Sequence, residues 1–324
     1  MGEIFGPQGI KIGSFTIYYY GILIVIGILA AATIASWMAK RAGKDPDHVW
    51  GGLTWALIPA IIGARLWFVL FPPESVVAAG HGTAYMLSHP FDLEYGPFAI
   101  RYGGLGVWGA VIGGLLGIYL YWRRHSQESL IEWLDLAVVV LPVGQAVGRW
   151  GNFINHELYG PPTDLPWGIE IPRNSRVEPY TYMNGYGAET RFHPLFLYES
   201  LWNIVTFAIL FAVWNRLRSR LRRGDLFLLY LVLYPAGRFV LEFMRVEIAT
   251  VGGININQAI MGVTALAAAA LLLYRHRPGA AVGVTPAAEP EGTGETLPEA
   301  EAGPGADTPP ADAGETEQGS VAAG

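Results

Sequence analysis

The sequence predicts an all-α integral membrane protein with seven transmembrane helices. Of its 324 residues, 52% are hydrophobic and only 15% are charged, a balance typical of membrane proteins rather than soluble enzymes. Apolar segments recur along the chain, each close to the roughly 20 residues that a bilayer requires. Basic residues concentrate in alternate connections between these segments, a pattern that orients membrane proteins. The seven segments are residues 17–39, 49–71, 103–122, 130–147, 195–214, 226–243 and 258–274.

The first segment has the length of a full span, lacks a basic leader and has no A-x-A-like exit, so we expect a retained helix rather than a cleaved signal peptide. The first, third and seventh segments contain no Asp, Glu, Lys or Arg. In the third, Gly109, Gly113 and Gly117 recur every four residues, which favours close packing against a neighbouring helix. The other four segments carry ionisable residues, which are costly in a bilayer unless they have partners.

Orientation follows from the basic residues. Twelve of the 21 Lys and Arg residues lie in the connections after the first, third, fifth and seventh segments. Because basic residues mark the cytoplasmic side, we predict an N-terminus outside the membrane and a C-terminus in the cytoplasm. The loops after the second, fourth and sixth segments then face outward.

Two regions outside the helices have distinctive compositions. Within residues 150–194, prolines are mixed with tryptophans and tyrosines, which indicates a small periplasmic or extracellular cap; an ordinary interfacial belt of aromatic residues is the alternative. Residues 279–324 hold nine Asp or Glu and no Lys or Arg, so residues 1–278 carry 21 basic and 18 acidic groups. This Ala-, Gly- and Pro-rich segment has little to bury, so we expect a membrane domain at 1–278 and a disordered acidic cytoplasmic tail.

Composition and motifs argue against several function classes. No basic stripe with interleaved aromatic residues is present, so nucleic acid is not an expected partner. Cysteine is absent, which removes disulfides, thiolate metal sites and a cysteine nucleophile of the protein's own. No His-x-x-x-His pair or carboxylate array indicates a metal site. The sequence also lacks a P-loop and a G-x-S-x-G motif.

The most informative polar stretch is residues 148–160, directly after the fourth apolar segment. Arg149, at the end of a predicted membrane helix, needs an anionic partner or access to water. Asn152, Asn155 and Glu157 follow it among glycines and offer directional hydrogen bonds. The helix macrodipole repels anions at this end, so side-chain charge would have to hold one. The stretch therefore predicts an anion-binding surface at the membrane boundary.

A second charged cluster lies in and after the sixth segment. Arg238, Glu242 and Arg245 are four and three residues apart, so a helix places them on one face. One interpretation is a self-neutralising ladder that locks the helix in place. The other is that Glu242 orients the arginines while a guanidinium binds a ligand anion, and Arg149 with Arg238 would suit a phosphate because the planar guanidinium matches paired oxygens. Arg65 is expected to snorkel to the interface instead.

Several candidates for acid–base chemistry lie near the predicted outer boundary. Glu157, His193, Glu199 and Glu242 are the side chains able to supply a general base there. A lone histidine is more often structural. Tyr20 lies in the outer part of the first segment, where its hydroxyl either has a specific partner or belongs to the interfacial belt.

Residues 148–160, GRWGNFINHELYG, resemble the signature of the prolipoprotein diacylglyceryl transferase family, the bacterial enzymes that begin lipoprotein maturation. The similarity covers roughly residues 15–277. The resemblance implies transfer of a diacylglyceryl group from phosphatidylglycerol to the lipobox cysteine of a prolipoprotein signal peptide, without a cofactor, at the outer leaflet of the bacterial plasma membrane. The other matching positions are Tyr20, Gly21, Gly103, Gly104, Leu105, Asp135, His193, Pro194, Leu197, Tyr198, Glu199, Gly237, Arg238, Phe239, Glu242, Phe243 and Arg245.

The resemblance also implies roles for individual residues. The family's phospholipid-binding arginines fall on Arg149 and Arg238. The residues expected to act in catalysis are Arg149, Arg238, Tyr20, Asn152, Glu157 and Glu242. Those expected to bind substrate are Arg149, Arg238, Asn152, Asn155, Gly160, Gly103, Gly104, His193 and Arg245.

One position departs from the family pattern. Many members carry a histidine, proposed as the base, in the glycine-rich approach to the third span, and alignment of the glycines puts Trp108 there. Indole cannot accept a proton, so another group must serve, or the arginines lower the pKa of the substrate thiol enough for it to ionise unaided.

Two other functions stay open: a transporter or flippase for anionic lipid that uses the same arginines, and a lipid-binding relative that has lost catalysis.

Overall fold

The computed structural model of the protein consists mainly of long helices that coincide with the seven predicted segments. It describes residues 9–12, 15–92, 94–99, 106–246, 248 and 250–278; the predicted tail and the substrate-site candidates Gly103 and Gly104 lie outside these ranges. The α-helices are α1 Tyr19–Arg41, α2 Asp47–Leu70, α3 Glu74–Ala78, α4 Thr83–Ser88, α5 Val107–His125, α6 Leu130–Ile154, α7 Leu195–Leu217, α8 Asp225–Leu241 and α9 Ile256–Arg275. Single 3₁₀ turns cover Arg173–Ser175, Tyr182–Asn184, Arg218–Arg220 and Glu242–Met244.

Within the described ranges, three antiparallel hairpins accompany the helices, a feature that the all-α prediction did not include. They pair β1 (Gly9–Ile12) with β2 (Phe15–Tyr18), β3 (Ile169–Glu170) with β4 (Arg191–Phe192), and β5 (Thr250–Val251) with β6 (Ile254–Asn255). Residues 17 and 18, expected to begin the first span, therefore lie in β2. The other two hairpins occupy the connections α6–α7 and α8–α9, where they shape the candidate site.

Six helices within the described residues are long and apolar enough to cross a membrane: α1, α2, α6, α7, α8 and α9, with α7 and α8 counted together with the 3₁₀ turns that follow them. The protein is therefore a predominantly helical, multi-pass membrane protein. The third predicted segment also forms a helix, α5, of 19 residues. Its glycines and the terminal Arg123 and Arg124 lower its mean hydropathy, which explains why it is not among the six.

The glycine face of α5 packs directly against α2. A Cβ at Gly113 would lie 2.0 Å from the carbonyl oxygen of Pro59, and a Cβ at Gly117 would lie 2.4 Å from that of Trp55. Gly109 and Gly63 approach each other in the same way, with Cβ-to-oxygen distances of 2.0 and 2.2 Å. Only hydrogen fits at such separations, so the predicted close-packing surface is confirmed.

Substituting one of these glycines should separate the two helices. Gly113→Ala forces a methyl group into the backbone of α2, and overpacking of this kind costs about 1–3 kcal/mol. Thermal unfolding in detergent should therefore occur at a lower temperature. The neighbouring Gly114→Ala is the matched control, because its Cβ would make an ordinary contact 3.7 Å from the Ala60 Cβ. Equal unfolding temperatures for the two variants would contradict this packing account.

The main hydrophobic core lies between α1, α6, α7 and α8, with Met38, Val139 and Leu210 fully buried. Beside it, α1, α2, α5 and α6 line an open cavity of about 490 Å³. Its lining is apolar except for His48, Tyr121 and Gln145. The cavity therefore offers a hydrocarbon-like surface between these four helices.

Ion pairs tie the helices together at the end that carries the basic connections. The Lys44 ammonium lies 2.6 Å from Glu128 and 2.7 Å from Glu132. Burial alone would raise the pKa of Glu128, but hydrogen bonds from Lys44 and Trp133 outweigh it and hold the pKa below its usual value. In α8, the buried Asp225 carboxylate faces Arg275, 3.2 Å away. These contacts join the α1–α2 connection to the start of α6, and the start of α8 to the end of α9.

Arg65 is buried, with 4% of its surface exposed. Its guanidinium donates hydrogen bonds to the carbonyl oxygens of Tyr95, Gly96 and Pro97 at 3.2, 2.5 and 3.2 Å. The expectation that Arg65 snorkels is therefore wrong: it ties α2 to the connection between α4 and α5. Backbone carbonyls accept hydrogen bonds from its guanidinium.

Candidate active site

The carboxyl end of α6 and the turn after it form one wall of the candidate site. The helix continues to Ile154, past the predicted end at 147, so Arg149 and Asn152 lie on its last two turns. The chain then takes left-handed backbone conformations at His156 and Leu158, with φ of 57° and 58°, which side chains rarely adopt. Backbone hydrogen bonds fasten this turn to the start of α7, from Gly160 to His193 at 2.9 Å and from Phe196 to Leu158 at 2.9 Å.

Arg149 and Arg238 meet at a single carboxylate, that of Glu199. Glu199 lies in the first turns of α7, and its side chain is only 3% exposed. The Arg149 Nε lies 2.7 Å from Glu199 Oε2, and the Arg238 Nη1 donates a hydrogen bond to Oε1 of the same carboxylate. Helices α6, α7 and α8 each contribute one of these charges. Both predicted arginines therefore belong to one cluster.

Glu242 extends the cluster on the far side of Arg238. Its Oε2 lies 3.4 Å from Arg238 Nη2 and 4.0 Å from Arg245 Nη1, and its side chain is 1% exposed. The Arg–Glu–Arg ladder expected from the spacing is thus present, although Glu242 begins a 3₁₀ turn rather than continuing α8. It is not self-contained, because Arg238 also pairs with Glu199. Three guanidiniums share two buried carboxylates, so these five groups carry one net positive charge.

Two asparagines donate hydrogen bonds to Glu157, and one of them, Asn152, links it to Arg149. The Arg149 Nη1 donates to Asn152 Oδ1 at 3.4 Å, and Asn152 Nδ2 donates to Glu157 Oε2 at 3.1 Å. Asn155 Nδ2 donates to the other oxygen, Oε1, at 3.3 Å. Glu157 is exposed, unlike Glu199 and Glu242. With Arg245, it lines a cavity of about 100 Å³ beside the cluster.

Tyr20, Gly160 and His193 lie around these charges. The Tyr20 ring packs on the surface of α6, where a Cβ at Gly151 would lie 2.2 Å from its Cδ2. A Cβ at Gly160 would lie 3.1 Å from both the His193 Cβ and the Met244 carbonyl oxygen, so glycine permits a close approach of three segments. The His193 Nδ1 lies 3.1 Å from the Tyr198 hydroxyl, which also receives a hydrogen bond from Trp167.

Arg176 holds together the connection between α6 and α7, the region expected to form a cap. The buried guanidinium donates to the carbonyl oxygens of Ile171 and Gly187 at 2.9 and 2.8 Å and lies over the Phe192 ring. Tyr159, Ile171 and Phe192 form a small hydrophobic core beside it. This ordered segment fixes the turn that carries Glu157.

Trp108, which occupies the position where many family members have a histidine, is 65% exposed on the first turn of α5.

Sequence reasoning named Glu199 only as a candidate base and did not identify it as the partner of both arginines. A glutamate in the first turns of an otherwise apolar segment was the available signal. It also missed Asn255, which donates to Glu242 Oε1 at 3.3 Å. Nothing in the local sequence of Asn255 indicates this contact, because it joins α9 to the end of α8.

Comparison with known proteins identifies similar chains. The family model described as prolipoprotein diacylglyceryl transferase matches residues 7–274. A phosphatidylglycerol–prolipoprotein diacylglyceryl transferase of Chloroflexus aggregans is 35% identical over 92% of this chain and 99% of the relative. Proteins of the same name from Gloeobacter violaceus and Trichormus variabilis are 36% and 35% identical, over 79% and 84% of this chain and 87% and 92% of their own lengths.

Proposed function

Since the chain belongs to the prolipoprotein diacylglyceryl transferase family, we propose that it transfers a diacylglyceryl group from phosphatidylglycerol to a prolipoprotein. The acceptor is the thiol of the lipobox cysteine in the signal peptide. The observation that carries the site assignment is the convergence of Arg149 and Arg238 on Glu199. It supports a single phosphate site built from α6, α7 and α8. The family resemblance inferred from residues 148–160 is confirmed, and the comparisons do not favour a transporter.

The cluster suits the charge that develops in this reaction. The substrate sulfur forms a bond to the glyceryl carbon that carries the phosphate ester, and the carbon–oxygen bond breaks. The electron pair leaves with the phosphate oxygen, so a thioether and the glycerol phosphate anion are produced. Arg149 and Arg238 stabilise this anion because they are held in place before the reaction and act where water is scarce. Glu199 and Glu242 hold the guanidiniums without cancelling all of their charge.

The thiol proton requires an acceptor, and Glu157 is the best placed of the candidates. Glu199 and Glu242 are buried and already pair with arginines, whereas among the described residues Glu157 receives its hydrogen bonds from Asn152 and Asn155. It is also exposed, so an incoming thiol can reach it. Trp108 then needs no role in proton transfer.

Glu157→Gln should lower kcat by about 10²-fold, because general bases typically contribute 10²–10⁴-fold. The amide keeps an acceptor oxygen near the asparagines, so affinity for phosphatidylglycerol should change little. The initial rate of thioether formation, measured against pH, would check both statements. Glu178→Gln, an exposed carboxylate in the same connection, is the control and should behave as the unaltered protein. An undiminished kcat in Glu157→Gln would remove Glu157 as the base and leave His193.

We also place all seven long helices across the bacterial plasma membrane, with the cluster toward the outer leaflet. The packing of α5 along the length of α2 supports a seventh span, and the basic connections support the orientation. Since the chain has no cysteine, single introduced thiols report their side of the membrane. In intact cells, a membrane-impermeant maleimide should label Asp164→Cys but not Arg220→Cys. Labelling of Arg220→Cys instead would reverse the orientation.

A direct assay tests the function itself. The purified protein is incubated with phosphatidylglycerol and a lipobox peptide, and mass spectrometry follows the peptide while released glycerol phosphate is quantified. We expect one glycerol phosphate for each thioether-linked peptide. Movement of lipid between vesicle leaflets without headgroup release would contradict the proposal and indicate a flippase. Lipid binding with no product would indicate a relative that has lost catalysis.

A further inference from the structure

Asn255 joins the start of α9 to the charged cluster. It is the residue before the helix, and its Oδ1 accepts a hydrogen bond from the Gln258 backbone N–H at 3.1 Å, which caps the helix. Its Nδ2 donates to Glu242 Oε1 at 3.3 Å. The amide oxygen of Asn255 therefore binds the helix backbone, while its amide nitrogen binds Glu242. Gly252 and Gly253, with φ of 58° and 79°, form the hairpin turn that leads to this position.

The second contact affects how Glu242 faces the arginines. Its Oε1 is held by Asn255, so its Oε2 is the oxygen directed at Arg238 and Arg245. A neutral donor on one oxygen fixes the carboxylate without adding charge. The charged groups around Glu242 are Arg238 and Arg245, with Glu199 and Arg149 beyond Arg238. A rotation of the Glu242 carboxylate would therefore change the positions of the guanidiniums that we propose bind the phosphate.

We propose that Asn255 is a positioning residue for transfer, acting through Glu242 on Arg238 and Arg245. This inference rests on the proposed function. A helix cap alone could be Ser, Thr, Asp or Asn. Aspartate lacks a donor, and serine or threonine must accept and donate through one oxygen atom, whereas Asn255 accepts with Oδ1 and donates to Glu242 with the separate Nδ2. The residue type is thus explained by the cluster as well as by the helix.

Asn255→Asp separates the two roles. The aspartate still caps α9, but it replaces the amide donor with an acceptor that carries negative charge next to Glu242. We expect kcat/KM to fall by roughly tenfold, equivalent to about 1.4 kcal/mol, and the affinity for phosphatidylglycerol to fall with it. Lowering the pH should reduce the difference in kcat/KM between Asn255→Asp and the unaltered protein. Protonation of either the introduced aspartate or Glu242 restores an O–H donor between these two carboxyl groups.

Two further variants act as controls. Asn257→Asp introduces the same charge two residues later, in the first turn of α9, where the helix dipole favours an acid; its activity should be unchanged. Asn255→Thr keeps a capping oxygen but lacks the separate Nδ2 donor that contacts Glu242 and adds no titratable group, so its activity should fall by a factor that does not vary with pH. Thermal unfolding of each variant checks that α9 is still docked.

The experiment measures kcat/KM for a lipobox peptide against pH, together with the Kd for phosphatidylglycerol in nanodiscs. If the kcat/KM of Asn255→Asp, divided by that of the unaltered protein, rises as the pH falls, the result supports Asn255 as a positioning residue. A ratio of one at every pH, or an equal loss in Asn257→Asp, would overturn it. If the unaltered protein forms no thioether, the proposed function fails. The Kd then still decides the positioning role, because a Kd unchanged in Asn255→Asp would overturn it as well.

Discussion

Arg238→Ala should reduce transfer on the order of 10³-fold, the loss typical of removing a preorganised group that stabilises developing charge, while the helical bundle stays folded. Arg238 contacts both Glu199 and Glu242. Its removal leaves Glu199 paired with Arg149 and Glu242 near Arg245, so neither buried carboxylate loses all of its cationic partners. The variant therefore separates the chemistry from the fold.

The initial rate of glycerol phosphate release measures the effect, with thermal unfolding as the check on folding. Arg238→Lys should be intermediate, because the ammonium keeps the positive charge but lacks the planar, paired donors with which a guanidinium matches phosphate oxygens. The control is Arg216→Ala, which removes an exposed arginine at the carboxyl end of α7, away from Glu199. This variant should leave the rate of glycerol phosphate release unchanged. Full activity in Arg238→Ala would remove this arginine from the phosphate site.

Glu199→Ala should produce the largest loss of stability of any single charge removal in the cluster. It leaves Arg149 and Arg238 partly buried without their shared carboxylate, and breaking a buried ion pair by removing one partner costs about 3–5 kcal/mol. Activity should be lost as well, because the guanidiniums no longer have a fixed separation. This behaviour is opposite to that of Arg238→Ala, in which folding is preserved.

Thermal or denaturant unfolding in detergent measures this difference. Glu170→Ala is the matched control, since Glu170 is 67% exposed and lies 3.8 Å from Arg191, and exposed pairs contribute only about 0–1 kcal/mol. We expect the free energy of unfolding to fall far more in Glu199→Ala than in Glu170→Ala. Equal stability of the two variants would show that Glu199 is not needed to neutralise the arginines.

The sequence predicted the helices because apolar length and local spacing are properties of neighbouring residues. The seven segments, the glycine face of α5 and the shared face of Arg238, Glu242 and Arg245 all follow from such spacing. Helix ends were less accurate: α6 runs seven residues beyond the predicted 147, to Ile154. Its last turns are polar, and polarity alone does not end a helix at the edge of a membrane.

The contacts that define the site could not be predicted because they depend on which helices are neighbours. Glu199 lies 39 positions from Arg238, and only the packing of α7 against α6 and α8 makes it the shared partner of two arginines. Asn255 reaches Glu242 across a hairpin for the same reason. The left-handed backbone conformations at His156 and Leu158 could not be predicted, because neither residue is a glycine. Arg65 was misjudged because its carbonyl partners come from a distant connection.

A structure of the protein with phosphatidylglycerol bound is the most direct measurement of the central claim. The lipid phosphate should contact the guanidiniums of both Arg149 and Arg238, with nitrogen–oxygen distances of about 2.7–2.9 Å, and the acyl chains should enter the cavity between α1, α2, α5 and α6. A phosphate bound elsewhere, with both arginines still turned wholly toward Glu199, would contradict it.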